Sequence, residues 1–224
     1  MGYYIDLTSI SIDEYKEKLK SADLLPSQMI LKENIDEIFG RIKTQEIESV
    51  EELRKALGSK KKLQSFSEQS GISEDYLKIL IRNVNSYRQR PSKIRDFPDV
   101  SEDTILRLED LGTENTLQLY SRILTPQSRY EITSRTGISE SDLLRLAKLA
   151  DLCRIRWVSH TFAYVLLEAG YDTAEQVANA DHSQLYEQVK KLNEERQIFR
   201  GRIGLHDMKL CVEAARELPF EIEV

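Results

Sequence analysis

Cysteine is close to absent from this chain, with Cys153 and Cys211 its two copies in 224 residues. Two thiols so far apart make neither a disulfide framework nor a zinc site, and both are expected as small buried residues on helices. Histidine is nearly as scarce: His160, His182 and His206 form no metal-ligand spacing. Long apolar runs are missing as well, none approaching the roughly 20 residues of a membrane helix. The opening Met1-Gly2-Tyr3-Tyr4-Ile5-Asp6 lacks the basic and then apolar regions of a signal peptide, and Asp6 stands where a myristoylation motif takes Ser or Thr. A cytoplasmic protein that enters no membrane is the expectation. There is no glycine-rich phosphate loop and no carboxylate pair in apolar surroundings. Cys153 and His160 could share a helix face, but no orienting third group or oxyanion donor set accompanies them. The chain is therefore expected not to be an enzyme, with no cofactor and no small-molecule substrate.

Strand signals are equally thin. Tyr3-Tyr4-Ile5 and Phe220-Glu221-Ile222-Glu223-Val224 are β-compatible, but segments of this length at chain ends read as tails or edge packing. The expected fold class is all-α. A composition of 40% hydrophobic and 31% charged residues suits a chain that buries a substantial core.

The strongest positive feature is an internal repeat. Gly-Ile-Ser-Glu occurs at 71–74 and again at 137–140, and Leu77, Leu80 and Val84 fall opposite Leu143, Leu146 and Ala150, the spacing of one apolar helix face. Beyond that point the register slips. Val100-Ser101 matches Val158-Ser159, and Leu111-Gly112-Thr113-Glu114-Asn115 matches Ala169-Gly170-Tyr171-Asp172-Thr173; Gln45-Glu46-Ile47-Glu48-Ser49 is a weaker third copy. Three helical units follow, 1–58, 59–124 and 125–224, the last closed by a pair of helices, with each unit stacking its apolar face on a neighbour. Ser11-x-x-Glu14, Ser49-x-x-Glu52, Ser139-x-x-Asp142 and Thr173-x-x-Gln176 read as capping boxes or close variants. Thr125-Pro126 starts a helix with proline at its first position. Gly71, Gly112, Gly137 and Gly170 are placed to end helices in the left-handed conformation.

From about Thr125 to Leu218 the parts follow a recognisable order. Gly137-Ile138-Ser139 comes first, then Leu149-Ala150-Asp151-Leu152-x-Arg154-Ile155-Arg156-Trp157-Val158-Ser159, then Leu166 to Thr173, then Leu192-Asn193-Glu194-Glu195. This order resembles an uncharacterised bacterial family, a domain of unknown function built from tandem helix-hairpin-helix units. Val100-Ser101 to Leu119 is more loosely similar to the C-terminal domain of the bacterial RNA polymerase alpha subunit. The resemblance implies tandem helix-hairpin-helix-like repeats, SAM-domain-like in character, and a class of binding without an established reaction. In such a motif a tight turn, usually Gly-hydrophobic-Gly, aims backbone N–H groups and a helix N-terminus at a nucleic-acid phosphate.

Here the turns read Asp99-Val100-Ser101 and Trp157-Val158-Ser159, with both glycines replaced in both. Asp99, Glu102 and Asp103 would repel a phosphate, so the middle hairpin is expected to be structural. The later hairpin is the candidate phosphate site: Arg154, Arg156, Val158, Ser159 and His160, with no acid between Arg154 and Ala163. The competing expectation is that Arg154 and Arg156 are solvated charges and Trp157 packs into the core. Arg82, Arg88, Arg90, Lys93 and Arg95 form a second basic cluster, a linker patch that contains Tyr87 and no acid, and could follow a nucleic-acid backbone or simply be solvated. The whole chain carries 38 acidic and 32 basic residues, net −6, which lowers nonspecific affinity for nucleic acid. The favoured expectation is a non-enzymatic helical scaffold or adaptor whose partner is a protein. The alternative is a DNA- or RNA-binding accessory protein acting through the 154–160 hairpin.

Overall fold

A computed structural model of the chain describes residues 2–224. Among the described residues there are 13 α-helices, two 3₁₀ helices and, in place of a sheet, two isolated β-bridges. The chain is all-α. Its helices in order are α1 (Ile12–Ser21), α2 (Ile35–Lys43), α3 (Val50–Ala56), α4 (Lys60–Ser70), α5 (Glu74–Ser86), α6 (Glu102–Asp110) and α7 (Thr116–Tyr120), then α8 (Pro126–Thr136), α9 (Glu140–Leu152), α10 (His160–Glu168), α11 (Ala174–Ala178), α12 (His182–Arg196) and α13 (Leu205–Ala215). The 3₁₀ helices are Pro26–Lys32 and Ile94–Asp96. None of these helices is long and apolar enough to cross a membrane.

Side-chain oxygens start most of the helices, because the first-turn N–H groups have no partner within the helix. Ser11 and Ser49 form reciprocal capping boxes with Glu14 and Glu52. Ser139 and Thr173 cap α9 and α11, but the Gln176 amide oxygen accepts from Asp172 N instead of closing a box on Thr173. Gly71 and Gly137 end α4 and α8 at φ 68° and 71°, and Gly112 and Gly170 turn the chain after α6 and α10 at φ 69° and 92°. The matched sequence segments take up matched elements. α4 and α8 both have 11 residues, α5 and α9 have 13, α6 and α10 have 9, and α7 and α11 have 5.

One orphan donor recurs at the start of the three short helices and is satisfied in two ways. Val50 N donates to Ile10 O at 3.0 Å and Thr116 N to Ser92 O at 2.9 Å, each half of a one-rung antiparallel bridge. The equivalent Ala174 N donates at 2.7 Å to a side chain, Asp151 Oδ2. This substitution of carboxylate for backbone brings a negative charge into the interior beside α11.

The described residues form two compact units, one of residues 6–88 and one of residues 89–224 joined by the N-terminal segment through Ile5. Their boundary falls inside the expected 59–124 unit, so α4 and α5 belong to the first compact unit and α6 and α7 to the second. In the first unit Tyr15, Phe39, Leu53, Leu77 and Leu80 are buried. Two buried phenols there find acceptors, Tyr15 Oη donating to Asn83 Oδ1 at 2.8 Å and Tyr76 Oη to Leu31 O at 3.0 Å. The second unit has two apolar clusters. One lies among α6 to α9 and includes Ile105, Leu119, Ile132 and Leu146. The other lies among α9 to α13 and includes Leu152, Val165, Val177, Leu185 and Val212. Fully burying each of these side chains contributes about 1.5–3 kcal/mol.

Candidate functional site

The last residues of α9 lead into the 153–158 turn, and there the structure departs from the charge pattern. Arg154 is in the interior. Its side chain has no solvent exposure, and the Asp151 side chain is 2% exposed. The guanidinium Nη1 donates to Asp151 Oδ1 at 2.6 Å, Nε to Tyr3 O at 3.2 Å and Nη2 to Pro219 O at 2.8 Å, and Cζ lies 4.4 Å from the centre of the Tyr120 ring. One cation thus ties both ends of the chain to α9 and α7. Burial pushes the Asp151 carboxyl above its ordinary range, against the lowering effects of Arg154 and the Ala174 amide. A buried pair of this kind is tolerable because each guanidinium nitrogen and each carboxylate oxygen has a hydrogen-bond partner.

The hairpin itself is filled by Gln89. Its Nε2 group donates to Cys153 O, Ile155 O and Val158 O at 2.6, 3.0 and 3.2 Å, and its Oε1 accepts the Trp157 N–H at 3.0 Å. Val158 is buried, and its N–H is bonded to Ile155 O. The inside of the turn is therefore lined by carbonyl acceptors that already hold a neutral amide. An anion brought there would meet oxygen dipoles, not donors.

Two expectations about this hairpin need correction. Arg154 is unavailable to a phosphate because the chain's own carboxylate and carbonyls enclose it. Nor are Arg154 and Arg156 solvated: Arg156 is mostly covered, pairing with Glu217 at 3.1 Å and stacking 4.7 Å from the centre of the Trp157 ring. It is Trp157 that faces solvent, 46% exposed, with a left-handed backbone at φ 67°. A bulky residue in that conformation is unusual, and Gln89 holds it there. Ser159 is exposed and caps α10 by accepting from Phe162 N, while His160 is half-buried, edge-on to Phe97.

The middle hairpin repeats the backbone with different chemistry. Asp99 has φ 64° and Ser101 caps α6, as Trp157 and Ser159 do 58 positions later (99 to 157). The Asp99 carboxylate accepts from Tyr164 Oη and lies 3.9 Å from Arg145, which in turn pairs with Glu168 at 2.7 Å. Burial and this bond push the Tyr164 phenol up to about 12. Sequence reasoning passed over Tyr164, Arg145 and Gln89, whose local patterns carry no sign of a role.

The basic linker patch is divided between the compact units. Arg82 and Arg88 lie in the first, where Arg88 comes within 3.8 Å of Glu51; Arg90, Lys93 and Arg95 lie in the second, where Arg95 pairs with Glu109. Arg82, Arg90 and Lys93 are exposed. Cys153 and Cys211 are buried, and burial pushes each thiol up to about 12, so neither is a thiolate near neutral pH. Among the described residues no group of three or more His, Cys, Asp and Glu side chains is placed to hold a metal ion.

Residues 98–218, rather more than half the chain, match the model of a protein family described as a domain of unknown function, DUF4332. No curated protein and no solved structure matches the chain.

Proposed function

The chain belongs to the DUF4332 family, and on that footing we propose that it is a cytoplasmic, non-enzymatic helical scaffold of tandem helix-hairpin-helix-like repeats that binds a protein partner. The helix-hairpin-helix reading is supported by the left-handed residues Asp99 and Trp157, each two positions ahead of a helix-capping serine. The observation that carries the choice of partner is the fate of the hairpin's polar groups. Arg154 is spent on Asp151, Tyr3 and Pro219, and the turn's interior is spent on Gln89, which leaves an exposed indole as the feature presented outward. Exposed aromatic and arginine residues are the side chains that anchor protein interfaces. Phosphate binding by the 154–160 hairpin loses the Arg154 cation and the Val158 N–H, which is bonded to Ile155 O.

The test is a photo-crosslinking residue placed, one position at a time, at the exposed Leu106, Tyr130 and Trp157 in the full-length protein in cells. Discrete protein adducts are expected. Adducts to nucleic acid alone, or tight binding of duplex or single-stranded DNA at low salt, would reverse the assignment.

A further inference from the structure

A scaffold requires contact surfaces, and on that reading we propose that a groove in the first compact unit, floored by Ile47, Ala56 and Phe66 and charged by Lys55 and Lys62, docks an acidic segment of a protein partner, taking one aliphatic side chain and the carboxylates beside it. The groove has a volume of about 420 Å³ and lies between α3, α4 and the loop that joins α2 to α3. Both cations line the same space as the apolar floor. The helix pattern puts them there. Leu63 and Phe66 turn α4 onto the core, and Lys62, Ser65 and Gln69, at i, i+3 and i+7, follow along the groove. Lys62 Nζ donates to Lys55 O at 3.2 Å, which holds its ammonium at the end of α3 and uses one of its three N–H groups.

The nearby acids leave that charge standing. Glu51 comes within 3.9 Å of Lys55, but its carboxylate already takes two bonds of 2.8 Å from Arg54 and has Arg88 at 3.8 Å. The Glu52 carboxylate is occupied by the N–H groups of Glu48 and Ser49. Glu46, Glu48 and Glu68 adjoin lining residues in sequence, yet none of them lines the groove. Residues 53–67 contain no acid, and the first turn of α4 contains none either. Unneutralised ammonium groups beside an apolar floor favour carboxylates flanking an aliphatic side chain. The groove suits a passing chain better than a small molecule, because Lys55, Lys62, Ser65 and Gln69 are exposed, whereas small-ligand sites enclose most of the ligand. A nucleic-acid strand suits it less, since strand binders stack bases on open aromatic faces and Phe66, the ring in this groove, is 6% exposed.

Selection of short random peptides displayed on phage against the native full-length protein tests the proposal, with Lys55→Gln/Lys62→Gln as the counter-selecting variant. The expected consensus is an aliphatic residue flanked by Asp or Glu. Fluorescein-labelled synthetic versions, followed by polarisation, should lose about tenfold or more in affinity in that double variant. Ser65→Tyr should do the same by filling the groove, and it keeps the fold because Ser65 is an exposed helix position. Lys191→Gln/Arg200→Gln removes the same charge from exposed positions outside the groove and should leave affinity unchanged. A consensus without acids, native affinity in either groove variant, an equal loss in the charge control, or no enrichment overturns the proposal. If those failures come with protein adducts from Leu106, Tyr130 or Trp157, the groove is wrong and the scaffold reading survives. Oligothymidylate bound at low salt by the native protein but not by Lys55→Gln/Lys62→Gln would overturn both.

Discussion

Arg107 Nη1 lies 2.8 Å from the point where a Cβ on Gly137 would stand. The same guanidinium nitrogen donates to Thr136 O at 2.7 Å, closing the C-terminus of α8; Arg41 does the same for α4 by donating to Gly71 O at 3.0 Å. Gly137 therefore answers to two demands, a left-handed backbone and room for Arg107, whereas a Cβ on Gly112 would meet nothing within 4 Å. Gly112→Ala is expected to cost about 1–2 kcal/mol from the backbone alone. Gly137→Ala should cost measurably more, because Arg107 must also leave its carbonyl. Urea unfolding of the two variants and of Arg107→Ala/Gly137→Ala makes the comparison, and the excess should vanish when Arg107 is already gone.

Removing Arg154 should be among the most damaging single changes in the chain. Arg154→Ala strands a buried carboxylate and two carbonyls, for which about 3–5 kcal/mol is expected. Pairing it with Asp151→Asn should cost less than the sum of the single changes, since the second substitution removes the stranded charge. Additive losses in a denaturant double-mutant cycle would show that the two side chains do not depend on each other.

Helix ends were legible in this sequence because their causes are local. A serine three residues ahead of a carboxylate, or a glycine after an apolar face, acts within one turn, and Ser11, Ser49, Gly71 and Gly137 all did what their neighbours implied. The hairpin's chemistry was not legible, because its partners are distant in sequence: Arg154 is completed by Tyr3 and Pro219, and Trp157 by Gln89. A neutral residue between two arginines gives no warning that it will fill a turn. One signal was available. A bulky residue standing where the motif takes a left-handed glycine must project away from the turn, which argues for Trp157 in solvent and against Trp157 in the core.

Acid should weaken the protein partly through Glu168. Hydrogen bonds from Arg145 at 2.7 Å and Arg196 at 2.6 Å hold its carboxyl below the ordinary 4.5. A folded-state value below the unfolded one gives stability that is complete above about pH 4.5 and is lost as pH falls through the depressed value. Glu168→Gln should therefore be less stable than the native chain at neutral pH, with the gap closing on acidification. Thermal melts across that range check the sign, and a gap that widened in acid would contradict it.

Gln89 offers the sharpest test of the hairpin's interior, because two small changes there should differ in a direction that charge alone decides. Gln89→Ala leaves the Trp157 N–H and three carbonyls without their partner, and about 1–3 kcal/mol is expected for the exposed or unsatisfied groups. Gln89→Glu keeps size and shape and can still accept from Trp157 N, but it places a carboxylate oxygen against Cys153 O, Ile155 O and Val158 O. Repulsion should make it the worse variant at neutral pH even though it removes fewer atoms. Protonating the carboxyl restores an O–H donor toward those carbonyls, so the Glu variant should recover relative to the Ala variant as pH falls, the trend expected of a carboxyl whose folded pKa is raised. Equal stability of the two at neutral pH, or a Glu variant indifferent to acid, would mean that the turn is open to water and that the Gln89 bonds do not hold it.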